Sequence, residues 1–192
     1  MAAPPVPELL RAHLAELAKN DERLDGRGRF EGRAVEIETG VLARAEGSAR
    51  VVMGDTIVLA GVKFQIMTPY PDRPTSGGFM TSAEVRPVSG VHWEAGPPSP
   101  EAIELGRVVD RGIRESGCLD MEDLCILPGE KAWQVILDVF ALSDDGNLFD
   151  AFATAAMAAL RTAVIPGERF DVGEDRPLPV SKKPMMCSYH RV

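Results

Sequence analysis

The reading of the fold turns on Ser99-Pro100-Glu101-Ala102-Ile103-Glu104-Leu105-Gly106-Arg107-Val108-Val109-Asp110-Arg111-Gly112-Ile113-Arg114-Glu115-Ser116-Gly117. A serine before the first turn, proline at the first helical position and an acid just after it start a helix; Gly117 stops it. At about 100° per residue, Ala102, Gly106, Val109 and Ile113 share one side. Arg107, Arg111 and Arg114 gather in a narrow arc on the other. The stretch therefore lays an apolar stripe on a core and turns three guanidinium groups outward.

Upstream, Ala34–Glu38 alternates apolar and charged residues, as a strand with one wet face does. Ala49–Met53 is short and rich in β-formers, Gly54-Asp55-Thr56 reads as a turn, and Ile57–Phe64 as a more buried strand. Residues 66–79 hold Pro69, Pro71, Pro74, Gly77 and Gly78 and read as a loop. Downstream, Leu119–Leu127 and Trp133–Leu142 read as strands, and Asp144-Asp145-Gly146-Asn147 as a turn. Residues 148–163 read as a helix apolar nearly all round, which predicts burial. At the N-terminus, residues 7–19 form an amphipathic helix through Leu10, Leu14 and Leu17, with Pro4, Pro5 and Pro7 crowding its start. The order helix, strands, helix, strands, helix predicts an α+β fold with helices packed on a mixed sheet. The expected division is an N-terminal helical extension, 1–22, and a main domain, 23–192.

A chain of 192 residues, 45% hydrophobic and 26% charged, is long enough to bury a core without covalent staples. Cys118, Cys125 and Cys187 are widely spaced and form no CxxC pair, which points away from a disulfide framework or structural zinc site and towards a reducing compartment. No apolar run approaches the ~18 residues of a membrane span. Met1–Val6 lacks the basic and apolar regions of a signal peptide. The expectation is a cytoplasmic protein with no membrane association. The net charge of −8 argues against a generic DNA-coating protein. Before residue 115, however, every base except Lys19 and Lys63 is arginine, which suits planar phosphate contacts, so local RNA sites stay open.

The arginine arc can act as a phosphate clamp. It can also be a solvated face, with Glu104 paired to Arg107 and Asp110 to Arg107 or Arg114; the helix alone favours that reading. Asp138, Asp144, Asp145 and Asp150 form an acidic run with two readings, acid catalysis or metal holding on one side, turn and helix-start chemistry on the other. The basic turn Arg23, Arg27, Arg29, Arg33 is interleaved with Asp25 and Glu31 and can touch RNA or be solvated. His13, His92 and His190 are too scattered for a triad. No phosphate loop, dinucleotide loop, nucleophile elbow or HExxH is present, and neither metal nor cofactor is expected.

Four stretches in order resemble the RNase PH family, and within it the non-phosphorolytic ring subunit of the archaeal exosome. They are Arg23-Leu-Asp-Gly-Arg27, Glu46–Thr56, Glu104–Ser116 and Asp144–Ala151. The resemblance implies an RNase PH-like fold of the ribosomal protein S5 domain 2-like type. It implies a hexameric ring in which three copies alternate with three of a catalytic paralogue, RNA-binding cap subunits, and single-stranded RNA degraded 3′ to 5′ with phosphate as the attacking group. Active members carry Asp-Gly-Gly-Thr-Arg, whose Gly-Thr-Arg holds that phosphate at a helix N-terminus. Here Asp138 and Asp145 match two acidic positions, Phe140 stands where a third acid would be, and Asn147, Leu148 and Phe149 replace Gly-Thr-Arg. With no arginine there, the carboxylates of Asp144, Asp145 and Asp150 around that helix start would repel phosphate. The expectation is a non-catalytic subunit whose RNA-binding residues are Arg107, Arg111 and, more weakly, Arg114. The family's further strands and closing helix imply a domain incomplete at its C-terminus. The competing readings are a phosphorolytic or metal-dependent exoribonuclease using Asp138, Asp144 and Asp145, and an interaction module without an RNA role.

Overall fold

A computed structural model of the chain describes residues 7–188. Pro4, Pro5 and His190 lie outside the described residues, as do the remaining positions of 1–6 and 189–192. Two compact units divide at Ala34 and Val35.

In the first unit, helix α1 spans Glu8–Lys19. None of its residues is buried, and Leu10 and Leu14 are each 37% exposed. The basic turn follows. Arg23 donates to the Arg29 carbonyl at 2.7 Å, and Arg27 donates to Asp25 at 2.8 Å and to the Glu31 carbonyl at 2.8 Å. Arg29 stands 3.5 Å from Asp21 and lies over the Phe30 ring. The hydrogen bond from Arg27 holds the Asp25 carboxyl below the usual carboxylate range. These guanidinium groups brace their own turn.

The second unit is a sheet with helices on one face. β1 (Val35–Thr39), β2 (Gly47–Met53), β3 (Thr56–Met67), β4 (Gly78–Glu84) and β6 (Lys131–Ser143) run in the order β1-β2-β3-β6-β4, and short β5 (Cys125–Leu127) pairs with β6. β4 is parallel to β6 and all other pairings are antiparallel, so the sheet is mixed. α2 (Pro100–Ser116) packs on β4, and α3 (Leu148–Thr162) on β2 and β3. β7 (Val164–Ile165) and β8 (Arg176–Pro177) form a separate small ladder.

One core joins sheet and helices. Alternate residues Val58, Ala60, Val62 and Phe64 of β3, and Val135, Leu137 and Val139 of β6, face Leu105, Val109 and Ile113 of α2 and Phe152, Ala155, Ala156 and Leu160 of α3. The alanine-rich face lets α3 approach closely. Gly47 belongs to that approach, because a methyl group there would meet the Ala163 Cα at 2.7 Å. Gly47→Ala is expected to destabilise by about 1–3 kcal/mol, read as a lower urea midpoint.

Three expectations are corrected. Residues 66–79 are not all loop: β3 runs to Met67 and β4 begins at Gly78. Leu119–Leu127 is not one strand; Leu119 makes an isolated bridge to Val180, and only Cys125–Leu127 is a strand. β1 has no buried face, since all five residues are exposed at the sheet edge. Among the described residues no helix is long and apolar enough to cross a membrane.

Candidate nucleic-acid interface

The Ser99 hydroxyl accepts from the Ala102 N–H at 3.2 Å and starts α2. Gly117, at φ 62°, ends it in the left-handed conformation open to glycine. Ala102, Leu105, Gly106, Val109 and Ile113 are buried against the sheet, so α2 cannot turn about its axis without breaking the core. That fixes Arg107 and Arg111 on the exposed side. With Thr81, Gly106 and Asp110 they line a cleft of about 220 Å³. Among the described residues, neither Arg107 nor Arg111 has an ion-pair or hydrogen-bond partner.

Arg114 differs. Its Nε donates to Asp110 at 3.0 Å, and one terminal nitrogen donates to Asp110 and to the Phe79 carbonyl, each at 3.0 Å. Its guanidinium also lies 5.6 Å from the Phe79 ring centroid. The hydrogen bonds that Arg114 donates to Asp110 hold the Arg114 pKa above its ordinary value. Asp110 therefore pairs with Arg114 and not with Arg107.

The acidic residues do not converge. Asp138 is exposed on β6, its backbone registered with Gly61 and Ser82. Partial desolvation and then the charge of Glu84 raise its pKa. The folded chain thus holds this proton more tightly than the unfolded chain does. Its contribution to stability falls as pH rises from the ordinary carboxylate range through the raised value. Asp138→Asn is expected to flatten that part of the pH–stability curve, followed by urea unfolding between about pH 4 and 7.

Asp144 is half of a brace. Its Oδ2 accepts from Trp93 Nε1 at 2.9 Å and lies 3.2 Å from His92 Nε2, while its Oδ1 accepts from the Gly146 N–H at 2.9 Å. Nothing in the sequence pairs His92 or Trp93 with Asp144. The Asp145 N–H donates to Thr56 Oγ1, which itself donates to the Gly146 carbonyl. Asn147, at φ 58°, precedes α3 and donates to Asp150 at 3.0 Å; Asp150 also accepts from the Ser188 hydroxyl at 2.8 Å. Leu148 and Phe149 pack on the core. Among the described residues no three His, Cys, Asp or Glu side chains are placed to hold a metal ion.

Residues 31–166 match the 3′ exoribonuclease family, domain 1. The chain belongs to the RNase PH family. It is 48% identical over 180 residues to the exosome complex component Rrp42 of Methanocella arvoryzae, covering 94% of this chain and 69% of that relative. It is 50% identical over 178 residues to the Rrp42 component of Archaeoglobus fulgidus, covering 93% and 69%. A chain from the solved Archaeoglobus fulgidus exosome with RNA bound to the active site superposes with a TM-score of 0.86 at 51% identity, over 90% of this chain and 68% of that one. A chain of an archaeal exosome core gives 0.80 at 48% identity, over 90% and 66%. The expected RNase PH-like α+β fold is therefore established for this chain, which the comparisons group with Rrp42 components. They do not favour an independent nuclease built on Asp138, Asp144 and Asp145.

Proposed function

We propose that this chain is a non-catalytic subunit of an exosome ring. It binds RNA phosphates at Arg107 and Arg111 and organises the active site of a catalytic RNase PH-like paralogue for 3′-to-5′ phosphorolysis. The assembly is a ring of three copies of each chain, topped by RNA-binding cap subunits. A cytoplasmic setting agrees with three free cysteines.

One observation carries the reading: the Arg107 and Arg111 guanidinium groups, without a partner among the described residues, line one cleft on α2, a helix locked by its buried face. Such groups position a strand without reading its bases. The lack of activity in the chain itself is supported by the segment 144–151, which contains no base where the family's active members hold phosphate. Its Phe149 is packed on the core and Asp150 already has partners.

The test is RNA degradation with and without phosphate, by the chain alone and after mixing with the catalytic paralogue. Phosphate-dependent activity only in the mixture is expected; the same activity in the isolated chain would overturn the proposal. In the mixed ring, Arg107→Ala with Arg111→Ala removes two phosphate contacts. The log–log salt slope of single-stranded RNA binding should then fall by about 1.4, equivalent to about 25-fold weaker binding at ~0.1 M salt. Unchanged retention would return α2 to the status of a solvated face.

A further inference from the structure

We propose that Arg114 is a positioning residue for the RNA-facing arginines and not a third phosphate contact; this rests on the reading of Arg107 and Arg111 above. Periodicity puts all three on one side of α2, but their surroundings separate them. Three hydrogen bonds engage Arg114: two form a fork on Asp110, one turn earlier, and one reaches the Phe79 carbonyl on β4. Its guanidinium carbon lies over the Phe79 ring, 5.6 Å from the centroid. Moving it to a phosphate would break the fork and the hydrogen bond that ties this end of α2 to β4.

The fork has a second consequence. Asp110 lines the same cleft as Arg107 and Arg111. A free carboxylate there would repel a phosphate, but both Asp110 oxygens accept from Arg114. The pair thus neutralises the acid in the cleft lining and anchors the helix that carries the Arg107 and Arg111 guanidinium groups. Nearer the start of the helix, on its buried side, a methyl group on Gly106 would meet the Ala83 Cβ at 3.2 Å. α2 is therefore seated on β4 at both Gly106 and Arg114. A lysine could not replace Arg114, since it has neither the planar fork nor the face for stacking.

The test is a mutant cycle in the ring assembled with the catalytic paralogue. Oligoadenylate binding is measured in phosphate-free buffer, where phosphorolysis cannot proceed. If Arg114 acts through Arg107 and Arg111, Arg114→Gln weakens binding about fivefold or more at ~0.1 M salt and has no further effect in the Arg107→Ala/Arg111→Ala background. Arg114→Lys should behave like Arg114→Gln. An independent phosphate contact would instead cost about fivefold in both backgrounds, with Arg114→Lys near wild type; either that result or no effect of Arg114→Gln in the wild-type background overturns the proposal. Should Arg114→Gln fail to fold, Asp110→Asn opens the same fork while keeping the side chain's size. It is expected to weaken binding, whereas tighter binding on loss of that carboxylate would count against the proposal. If Arg107→Ala/Arg111→Ala itself leaves binding unchanged, the failure lies with the phosphate-contact reading, and the two failures are distinct.

Discussion

Phe152→Ala is expected to lower the stability of this chain by about 3–5 kcal/mol, a large share of the 5–15 kcal/mol that holds most domains folded. Phe152 lies in the first turns of α3, is 0% exposed, and is among the largest fully buried side chains. Its neighbours on the helix face are Ala155, Ala156 and Ala159, small residues on a close helix–sheet approach. Such an approach leaves little room to collapse around a missing ring, so the cavity term adds to the lost transfer energy. Urea unfolding should show a midpoint lowered by at least 1 M at an m-value of about 1–3 kcal/mol/M. Phe30→Ala deletes the same ring at a position 93% exposed, where the change should stay within about 0.5 kcal/mol. A small shift for Phe152 would mean that α3 is not seated on the sheet as described.

The α2 helix was legible because its signals are local. Ser99, Pro100, Glu101 and Gly117 mark the ends, and the apolar stripe repeats within five turns. β4 was hidden for the opposite reason. Gly77 and Gly78 read as breakers, and the strand is defined by a parallel partner, β6, more than fifty residues later. That omission explains why the sequence still counts Arg114, though as the weakest of the three, with Arg107 and Arg111. Helical periodicity places all three on one arc, but the carbonyl that holds Arg114 belongs to Phe79, on the strand that could not be read. In residues 119–127, Leu119, Leu124, Ile126 and Leu127 imitate a buried strand, whereas Leu119 enters the core from an isolated bridge and Leu124 from a turn. The acidic run was legible as residues but not as roles. The hydrogen bonds make Asp144 a turn brace, whereas Asp138 is an exposed, partly desolvated carboxylate on β6.

Asp144 gives the sharpest separation between those roles. Its carboxylate is 9% exposed and takes hydrogen bonds from the Trp93 indole and the Gly146 N–H, with His92 3.2 Å away. Its own N–H donates to the Ser89 carbonyl at 2.8 Å. The residue therefore ties the loop after β4 to the turn before α3. Asp144→Ala leaves the indole and the turn N–H without their charged acceptor, an expected loss of about 2–4 kcal/mol. Asp144→Asn keeps an oxygen for one donor but loses the charge, and should fall between alanine and wild type. Thermal unfolding of the three proteins checks the order. If Asp144 were instead a catalytic carboxylate, the asparagine variant would lose activity out of proportion to its stability. In the mixed ring, equal amounts of folded wild-type and Asp144→Asn chain should degrade RNA at the same rate, because in the proposed assembly the chemistry belongs to the paralogue. A rate loss of about 100-fold or more with the fold intact, the scale of removing a general acid or base, would restore the aspartates to the reaction.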